Sequence, residues 1–193
     1  METVQIKRKT NETDIDLKLT IHGEGKCSIN IEIGFFKHML ESFCKHSSIN
    51  LDITAKGDIE VDFHHTVEDI GICLGMAFDK ALGEKKGIKR FGWASVPMDD
   101  SLSSVSIDIS GRPYLVYKVN FPTEKIGTFN VELFKEFFKA FSDNAKLNLH
   151  IINEYGENSH HIIESVFKAF AKALSMAVEI TGNNDIPSTK GTL

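Results

Sequence analysis

The chain has 193 residues, of which 41% are hydrophobic and 25% charged, with a formal net charge of −5. This composition is ordinary for a globular protein, and the length suffices for one substantial core or for two small cores that share an interface. The acidic balance and the lack of a long basic run argue against nucleic-acid binding, and no stretch approaches the roughly 20 apolar residues that cross a bilayer.

Residues 1–14 are charged and polar. They lack the apolar stretch of a secretory signal and carry acidic residues that transit peptides avoid. Cys27, Cys44 and Cys73 are scattered and include no CxxC pair, which is typical of a reduced protein. We therefore expect a cytoplasmic protein without a membrane partner.

The first predicted elements lie between residues 14 and 44. DIDLKLTI (residues 14–21) alternates apolar and polar side chains with the period of a half-buried strand, and KCSINIEI (26–33) is predicted to be its strand partner. GFFKHMLESFC (34–44) has apolar residues at helical spacing and is predicted to be a helix.

Two further elements complete the first half. INLDITAKGDIEVDF (49–63) is predicted to form strands around a turn at Lys56–Gly57. His64 then opens the stretch HHTVEDIGICLGMAF, which indicates a helix that ends near Gly83. Residues 86–100 are expected to form the boundary between two halves, because glycine and proline interrupt the periodicity there.

The second half is predicted to contain the same kinds of element. SVSIDIS (104–110), YLVYKVNF (114–121) and LNLHIINEYGE (147–157) indicate strands. VELFKEFFKAF (131–141) indicates a helix, and a last helix opens with HHIIESVFKAFAKAL at His160 and is expected to end near Gly182.

The two halves are alike in sequence. Sliding the chain by 98 positions places Phe36, Lys37 and Phe43 on identical residues of the second half, and sliding it by 96 places one HHxxE cluster on the other. Such internal similarity indicates duplication. We predict an α+β fold of two tandem pseudo-symmetric half-domains, residues 1–90 and 91–193, each a small sheet with two helices on one face.

The doubled cluster suggests metal binding. Residues three or four apart share one face of a helix, so both histidines of each HHxxE lie near its glutamate, and imidazole and carboxylate are common metal ligands. Position 38 lies one repeat away from position 136, which adds one candidate to each half. The predicted ligands are His38, His64, His65, Glu68, Glu136, His160, His161 and Glu164.

Eight ligands make two sites of four. Imidazole mixed with carboxylate, without thiolate, suits Mn²⁺, Fe²⁺ or Zn²⁺, and an octahedral ion with four protein ligands keeps two positions for substrate or water. The sequence does not assign ligands to ions, and the ligands of one ion could come from different subunits.

The chain resembles the imidazoleglycerol-phosphate dehydratase family over nearly its whole length. The resemblance rests on RKTNET (8–13), GFFKHML (34–40), HHTVEDIGICLG (64–75), KRFGWASVPMDD (89–100), DISGRPYL (108–115), HHIIESVFKAFAKAL (160–174) and PSTKG (187–191). It implies dehydration of imidazole-glycerol phosphate to imidazole-acetol phosphate in histidine biosynthesis, two Mn²⁺ ions per active site and an assembly of 24 identical subunits.

The resemblance also assigns roles. It implies that Glu12 transfers a proton and contacts the substrate, and that His64, Glu68 and Glu164 take part in catalysis as metal ligands. Phosphate is expected to be held by Arg90, Arg112, Ser188 and Lys190, and the tail that carries the last two is expected to become ordered when phosphate binds.

Two other functions fit the same ligands. A dinuclear metallohydrolase would use a bridging water as nucleophile and would release inorganic phosphate. A non-enzymatic protein could instead use the ions to join subunits, in which case chelation would dissolve the oligomer and no turnover would occur.

Overall fold

The computed structural model describes residues 2–193 and contains four helices and ten strands. The first half comprises β1 (Val4–Lys9), β2 (Thr13–Thr20), β3 (Cys27–Asn30), α1 (Gly34–Ser47), β4 (Asn50–Gly57) and α2 (His64–Leu82). The second comprises β5 (Phe91–Met98), β6 (Ser101–Asp108), β7 (Tyr114–Lys118), β8 (Lys125–Ile126), β9 (Phe129–Asn130), α3 (Leu133–Ala145), β10 (Asn148–Tyr155) and α4 (Ser159–Ala177).

The two sheets have the same topology. Their strand orders are β1-β2-β4-β3 and β5-β6-β10-β7, and in each the last pair is parallel while the others are antiparallel. Among the strands of residues 2–193, those of the short hairpin β8–β9 have no counterpart in the first half. The predicted α+β duplication is therefore confirmed, although β3 pairs with β4 and not with β2, its predicted partner.

The helices of both halves meet in a layer between the sheets. Helix α2 packs on the first sheet and α4 on the second, while α1 also packs on α4 and α3 on α2. The stacked rings of Phe43 and Phe170 join α1 to α4 across the halves, and the rings of Phe78 and Phe141 join α2 to α3. A single hydrophobic core results. Across residues 2–193, every helix is too short or too polar to span a membrane.

Local sequence explains how matching elements end. Helices α1 and α3 both terminate at a residue in the left-handed conformation, Ser48 with φ 61° and Lys146 with φ 55°. A left-handed cap residue turns the chain sharply, so each helix leads within a few residues into the central strand of its own sheet. The turn thereby fixes where the following strand and the next helix begin.

Two edge strands were not predicted. In β1 only Val4 is buried, and its exposed positions carry Gln5, Lys7 and Lys9, so it lacks the apolar alternation of a half-buried strand. The expected boundary segment contains β5, where Gly92 does not break the strand. An added Cβ at Gly92 would lie 1.9 Å from the carbonyl oxygen of Ala173, so glycine lets the strand approach α4 closely.

Two predicted boundaries were wrong. No second strand follows Lys56–Gly57: β4 continues to Gly57, and the next six residues form a turn into α2. Helix α4 ends at Ala177, five residues before Gly182. It stops there because the backbone N–H of Arg90 donates to the carbonyl of Ala177, and the following segment pairs with residues 87–89.

Candidate metal centre

Three of the predicted ligands converge where α1 crosses α4. The Nε2 atoms of His160 and His38 lie 3.1 Å and 3.7 Å from Oε2 of Glu164, and the three ligand atoms all lie within 4.8 Å of one another. His38 belongs to the first half and the other two residues to the second. We call this group the α1–α4 cluster.

The start of α4 is built to hold this geometry. The side chain of Asn158 caps the helix by accepting hydrogen bonds from the backbone N–H groups of His160 and His161. His160 and Glu164 are four residues apart and share one helix face. The ring of Phe35 meets the His160 ring edge-on, with centroids 5.0 Å apart, and thereby fixes its orientation.

The electrostatic surroundings favour the ionised form of the glutamate in the cluster. Partial burial raises the pKa of Glu164, but hydrogen bonds from Lys168 and His160 together with nearby positive charge outweigh it, and the net pKa lies below its usual value. Lys168 Nζ contacts the other carboxylate oxygen at 2.8 Å. One oxygen is thus anchored, and the second faces both imidazoles.

The matching residues on α2 form a more open arrangement. His64 Nε2 lies 3.6 Å from Glu68 Oε2, and both side chains are more than 40% exposed. Glu136, the expected counterpart of His38, contacts neither residue through an ion pair or hydrogen bond anywhere in residues 2–193. It stands on α3, which packs on α2.

His65 and His161 are each held by a carboxylate to which the sequence analysis gave no role. His65 Nδ1 lies 3.0 Å from Oδ2 of Asp58, and His161 Nδ1 hydrogen-bonds Asp100. These hydrogen bonds raise the pKa of each imidazole, despite some desolvation. Asp58 directly follows β4, and its position at the end of a central strand is the sequence feature that could have indicated this contact.

Glu12 lies beside this arrangement. Its Oε1 atom is 3.7 Å from Nε2 of His65, and its side chain is about half exposed. It stands in the loop between β1 and β2, where Thr10 accepts hydrogen bonds from the backbone N–H groups of Glu12 and Thr13. The structure therefore brings the predicted proton-transfer residue next to a predicted metal ligand.

Arg90 anchors the C-terminal tail. Its guanidinium makes a two-pronged contact with Asp108, at 2.7 Å and 3.2 Å, and donates to the carbonyl of Pro187 at 2.8 Å. Three of the five N–H donors of arginine are thereby used. The tail, which has no apolar anchor, is held by this polar one.

The other predicted phosphate-binding residues lie along the same segment. Ser188 Oγ accepts the backbone N–H of Lys190 in a turn, and Leu193 lies so close to Gly111 that an added Cβ there would be 2.8 Å from it. Arg112 follows Gly111 directly and is exposed. The tail thus runs from Arg90 toward Arg112 with Ser188 and Lys190 between them.

Comparison with known proteins gives a consistent result. The model of the family "Imidazoleglycerol-phosphate dehydratase" matches residues 31–174, which include both double-histidine helix starts. The imidazoleglycerol-phosphate dehydratase of Bacillus licheniformis is 53% identical over the whole of both chains, and that of Alkaliphilus metalliredigens is 54% identical over 96% of each.

Solved structures agree with these matches. The crystal structure of imidazoleglycerol-phosphate dehydratase from Staphylococcus aureus has a TM-score of 0.85 and 40% identity, covering 93% of this chain and 100% of that chain. The Pyrococcus furiosus protein in complex with (S)-C348 has a TM-score of 0.85 and 38% identity, covering 97% and 100%. The similarity extends over both halves of the fold.

Proposed function

This chain belongs to the imidazoleglycerol-phosphate dehydratase family, and we propose that it dehydrates its substrate with two bound divalent metal ions, Mn²⁺ being the expected cofactor. As a family member it is a lyase of histidine biosynthesis. The observation that carries the metal proposal is the convergence of His38, His160 and Glu164. His38 is distant in sequence from the other two residues, and together the three offer two imidazole nitrogens and a carboxylate.

The residues present suit such an ion. Imidazole with carboxylate is a common ligand set for Mn²⁺. Metal-bound histidines almost always have their second ring nitrogen held by a carboxylate, a backbone carbonyl or water, and one ring nitrogen of His65 and of His161 is held by a carboxylate here. When bound, the ions would supply Lewis-acid stabilisation of negative charge on the imidazole ring of the substrate. His64 and Glu68 are the proposed ligands on α2, with Glu136 as an additional candidate.

The reaction needs a group that moves a proton. Dehydration breaks a C–H bond and the C–OH bond of the neighbouring carbon, and the resulting enol becomes a ketone. The carbon that loses its proton has no adjacent carbonyl, so its electrons must be accepted by the substrate ring. Glu12 is the proposed proton-transfer residue, because its accessible carboxylate lies beside His65 at the edge of the cluster on α2.

Within one chain the metal ligands and the phosphate-binding set are far apart. His160 stands at the first turn of α4, whereas Arg90 bonds to Ala177 at its last. Seventeen helical steps at about 1.5 Å each separate the two ends by about 25 Å. A substrate made of one ring and a three-carbon chain does not span that distance. A complete active site therefore requires residues from more than one subunit.

This requirement supports a homo-oligomer in which subunits share each active site. We take the assembly to be the 24-subunit particle that the family resemblance implies, and metal ions held between chains would couple assembly to metal binding. All three cysteines are free thiols, which accords with a cytoplasmic location.

The metal proposal is tested by removing and restoring the ion. Chelator-treated protein should lose turnover of imidazole-glycerol phosphate, and Mn²⁺ should restore it with about two ions bound per chain. Full activity in protein verified to be metal-free would contradict the proposal. Release of inorganic phosphate would indicate the dinuclear hydrolase, and dissolution of the oligomer with no turnover at any metal load would indicate a purely assembling role.

Shared active sites are tested by mixing two inactive variants. Arg112→Ala chains keep the metal ligands and His160→Ala chains keep the phosphate-binding set. Random co-assembly at equal amounts should restore up to about a quarter of wild-type activity if two chains build each site. Each variant assembled alone provides the control. Mixtures as inactive as their components would show that every site is built within one chain.

The tail is tested at Lys190. Lys190→Ala should raise KM for the phosphorylated substrate by about tenfold with a smaller change in kcat, because one charged contact to phosphate is lost. Lys172→Ala removes an equally exposed charge from the outside of α4 and serves as the matched control. An unchanged KM for the Lys190 variant would remove the tail from the site.

A further inference from the structure

Two carboxylates make the same contact with two equivalent histidines. His65 Nδ1 lies 3.0 Å and 3.2 Å from the two oxygens of Asp58, and His161 Nδ1 hydrogen-bonds Oδ1 of Asp100. In both cases the opposite nitrogen, Nε2, remains available. It lies 3.7 Å from Glu12 in the first half and 3.5 Å from Asp99 in the second.

These two carboxylates do not occupy equivalent positions in the duplicated fold. Asp58 directly follows the strand β4, and the residue in that position of the second half is Gly156. Asp100 directly precedes the strand β6, and the residue in that position of the first half is Glu12. Duplication alone would have produced the contact from matching residues. The same contact made from different ones indicates that each histidine requires it.

The chemistry of imidazole explains such a requirement. A neutral imidazole carries its proton on one nitrogen and a lone pair on the other, and the partner of either nitrogen decides which tautomer is present. A carboxylate can only accept a hydrogen bond, so it retains the proton on the nitrogen that it faces. We propose that Asp58 and Asp100 are positioning residues that keep His65 and His161 protonated on Nδ1, with the Nε2 lone pair turned to a divalent cation.

This assignment, which rests on the proposed metal function, also explains why the halves differ at Glu12. In the second half the residue before the strand, Asp100, holds His161. In the first half Asp58 holds His65 instead, at Nδ1, whereas Glu12 lies near Nε2. Glu12, one methylene longer than Asp100, therefore keeps its carboxylate free for the substrate.

Asp100 has a second set of partners that sharpens the test. Its Oδ2 accepts hydrogen bonds from the backbone N–H groups of Glu157 and Asn158, at 2.6 Å and 3.1 Å, in the turn before α4. In Asp100→Asn the single amide oxygen would satisfy those groups, and the NH₂ group would then face His161. Nδ1 would have to accept, and the proton would move to Nε2.

The test compares Asp58→Ala, which leaves Nδ1 of His65 without an acceptor, and Asp100→Asn with Asp62→Asn. Asp62 accepts a backbone N–H, that of His64, so its variant removes the same charge nearby without touching a ring nitrogen, and the amide oxygen of asparagine can still accept that N–H. Solid-state ¹⁵N spectra of histidine-labelled, metal-free protein at pH 8 report the tautomer whatever the size of the assembly. Mn²⁺ affinity is measured separately by competition with a chelator.

Each positioning variant should shift its own histidine toward the Nε2-protonated form and weaken Mn²⁺ binding by about 10- to 100-fold, while the Asp62 variant should change neither. An unchanged tautomer in the Asp58 and Asp100 variants would overturn the inference, whether or not affinity fell, because a loss of affinity alone would reflect charge or folding. Wild-type protein that bound no divalent ion would contradict the proposed function instead, and the tautomer measurement would stand apart from that result.

Discussion

The two double-histidine helix starts have the same sequence pattern and different surroundings. On α4 the glutamate side chain is only 12% exposed, and three ligand atoms from two helices are already close together. On α2 the corresponding glutamate is 43% exposed and faces a single histidine. One half presents a nearly complete ligand set, and the other presents a set that needs further residues.

The difference arises from the neighbouring helices. Helix α4 packs on α1, which carries His38 to the cluster, whereas α2 packs on α3 so closely that Gly71 and Gly75 face the α3 backbone. Glu164 has Lys168 to orient it, and the position that matches Lys168 on α2 is Ile72. A duplicated motif therefore repeats the ligands, while the packing of the next helix decides whether they converge.

The largest expected effect separates the two clusters by metal affinity. Mn²⁺ should bind in two steps, the tighter one at the α1–α4 cluster, because its ligands are preorganised. His160→Ala should abolish the tighter step and His64→Ala the weaker one, and each should lower kcat by more than about a hundredfold. Calorimetric titration of metal-free protein resolves the steps. Loss of the tighter step in His64→Ala would reverse the comparison.

A second difference between the halves concerns the residue that directly follows the glutamate in each helix. In the first half the buried carboxylate of Asp69 accepts the hydroxyl hydrogen of Thr13 and pairs with Arg8 at 3.0 Å. The matching residue on α4 is Ser165, which hydrogen-bonds Ser103 at 2.6 Å. One half thus uses a charged pair where the other uses neutral hydroxyls.

Removing the acceptor on each side should expose that contrast. Asp69→Ala leaves a guanidinium and a hydroxyl without their partner and should lower the free energy of unfolding by about 3 kcal/mol. Ser165→Ala loses only neutral hydrogen bonds and should cost about 1 kcal/mol. Urea denaturation of metal-free protein, at one fixed protein concentration, measures the change in the free energy of unfolding for both variants. Equal losses would mean that the ion pair adds nothing beyond a hydrogen bond.

The sequence was most informative where burial imposes periodicity. The alternation in β2 and β6 and the apolar spacing in α1 and α3 were readable because one face of each element meets the core. The edge strand β1 has only Val4 buried, so its pattern carries little signal. Asp100 escaped notice because His161 is distant in the chain, and Asp58 because the intervening turn from β4 into α2 decides whether it meets His65.

The contact between helices was likewise invisible in the sequence. That His38 would join residues of the other half depends on α1 crossing α4, and periodicity shows that a helix has an apolar face but not which helix covers it. The sequence could therefore offer eight candidate ligands, while the grouping of His38 with His160 and Glu164 required the packed helix layer.

That layer suggests a third measurement, at Gly75. A Cβ added there would lie 2.7 Å from both Asn144 Cβ and the carbonyl oxygen of Phe141, so α2 and α3 are in backbone contact. Gly75→Ala should destabilise the protein by about 2 kcal/mol through overpacking, although alanine is the better helix former. The matching residue on α4 is Ala171, which already accommodates a methyl group. A gain in stability on urea denaturation would show that the helices can move apart at no cost.

The smallest expected effect concerns charge at the ends of the same helix pair. Asp79, near the end of α2, contacts Lys85 at 3.0 Å and Lys146, the cap of α3, at 2.6 Å. The matching positions in the pair α4 and α1 are Ser175 and Ser48, which carry no charge. Within residues 2–193, the pair α2 and α3 therefore has an ionic link at this end, and the pair α4 and α1 has none.

This link should make the α2–α3 contact sensitive to acid. Burial raises the pKa of Asp79, but hydrogen bonds from Lys146 and Lys85 outweigh it, so the folded-state pKa lies below the usual value. A lowered pKa stabilises the fold above the unfolded value of about 3.9, and that stability is lost as pH falls through the folded value. Asp79→Asn should thus cost about 1.5 kcal/mol at pH 7 and progressively less below about pH 4. Urea denaturation at pH 7 and again below about pH 4 measures this change. Ser175→Ala should show no such pH dependence. A deficit of the Asp79 variant that stayed constant into acid would assign its role to packing rather than to charge.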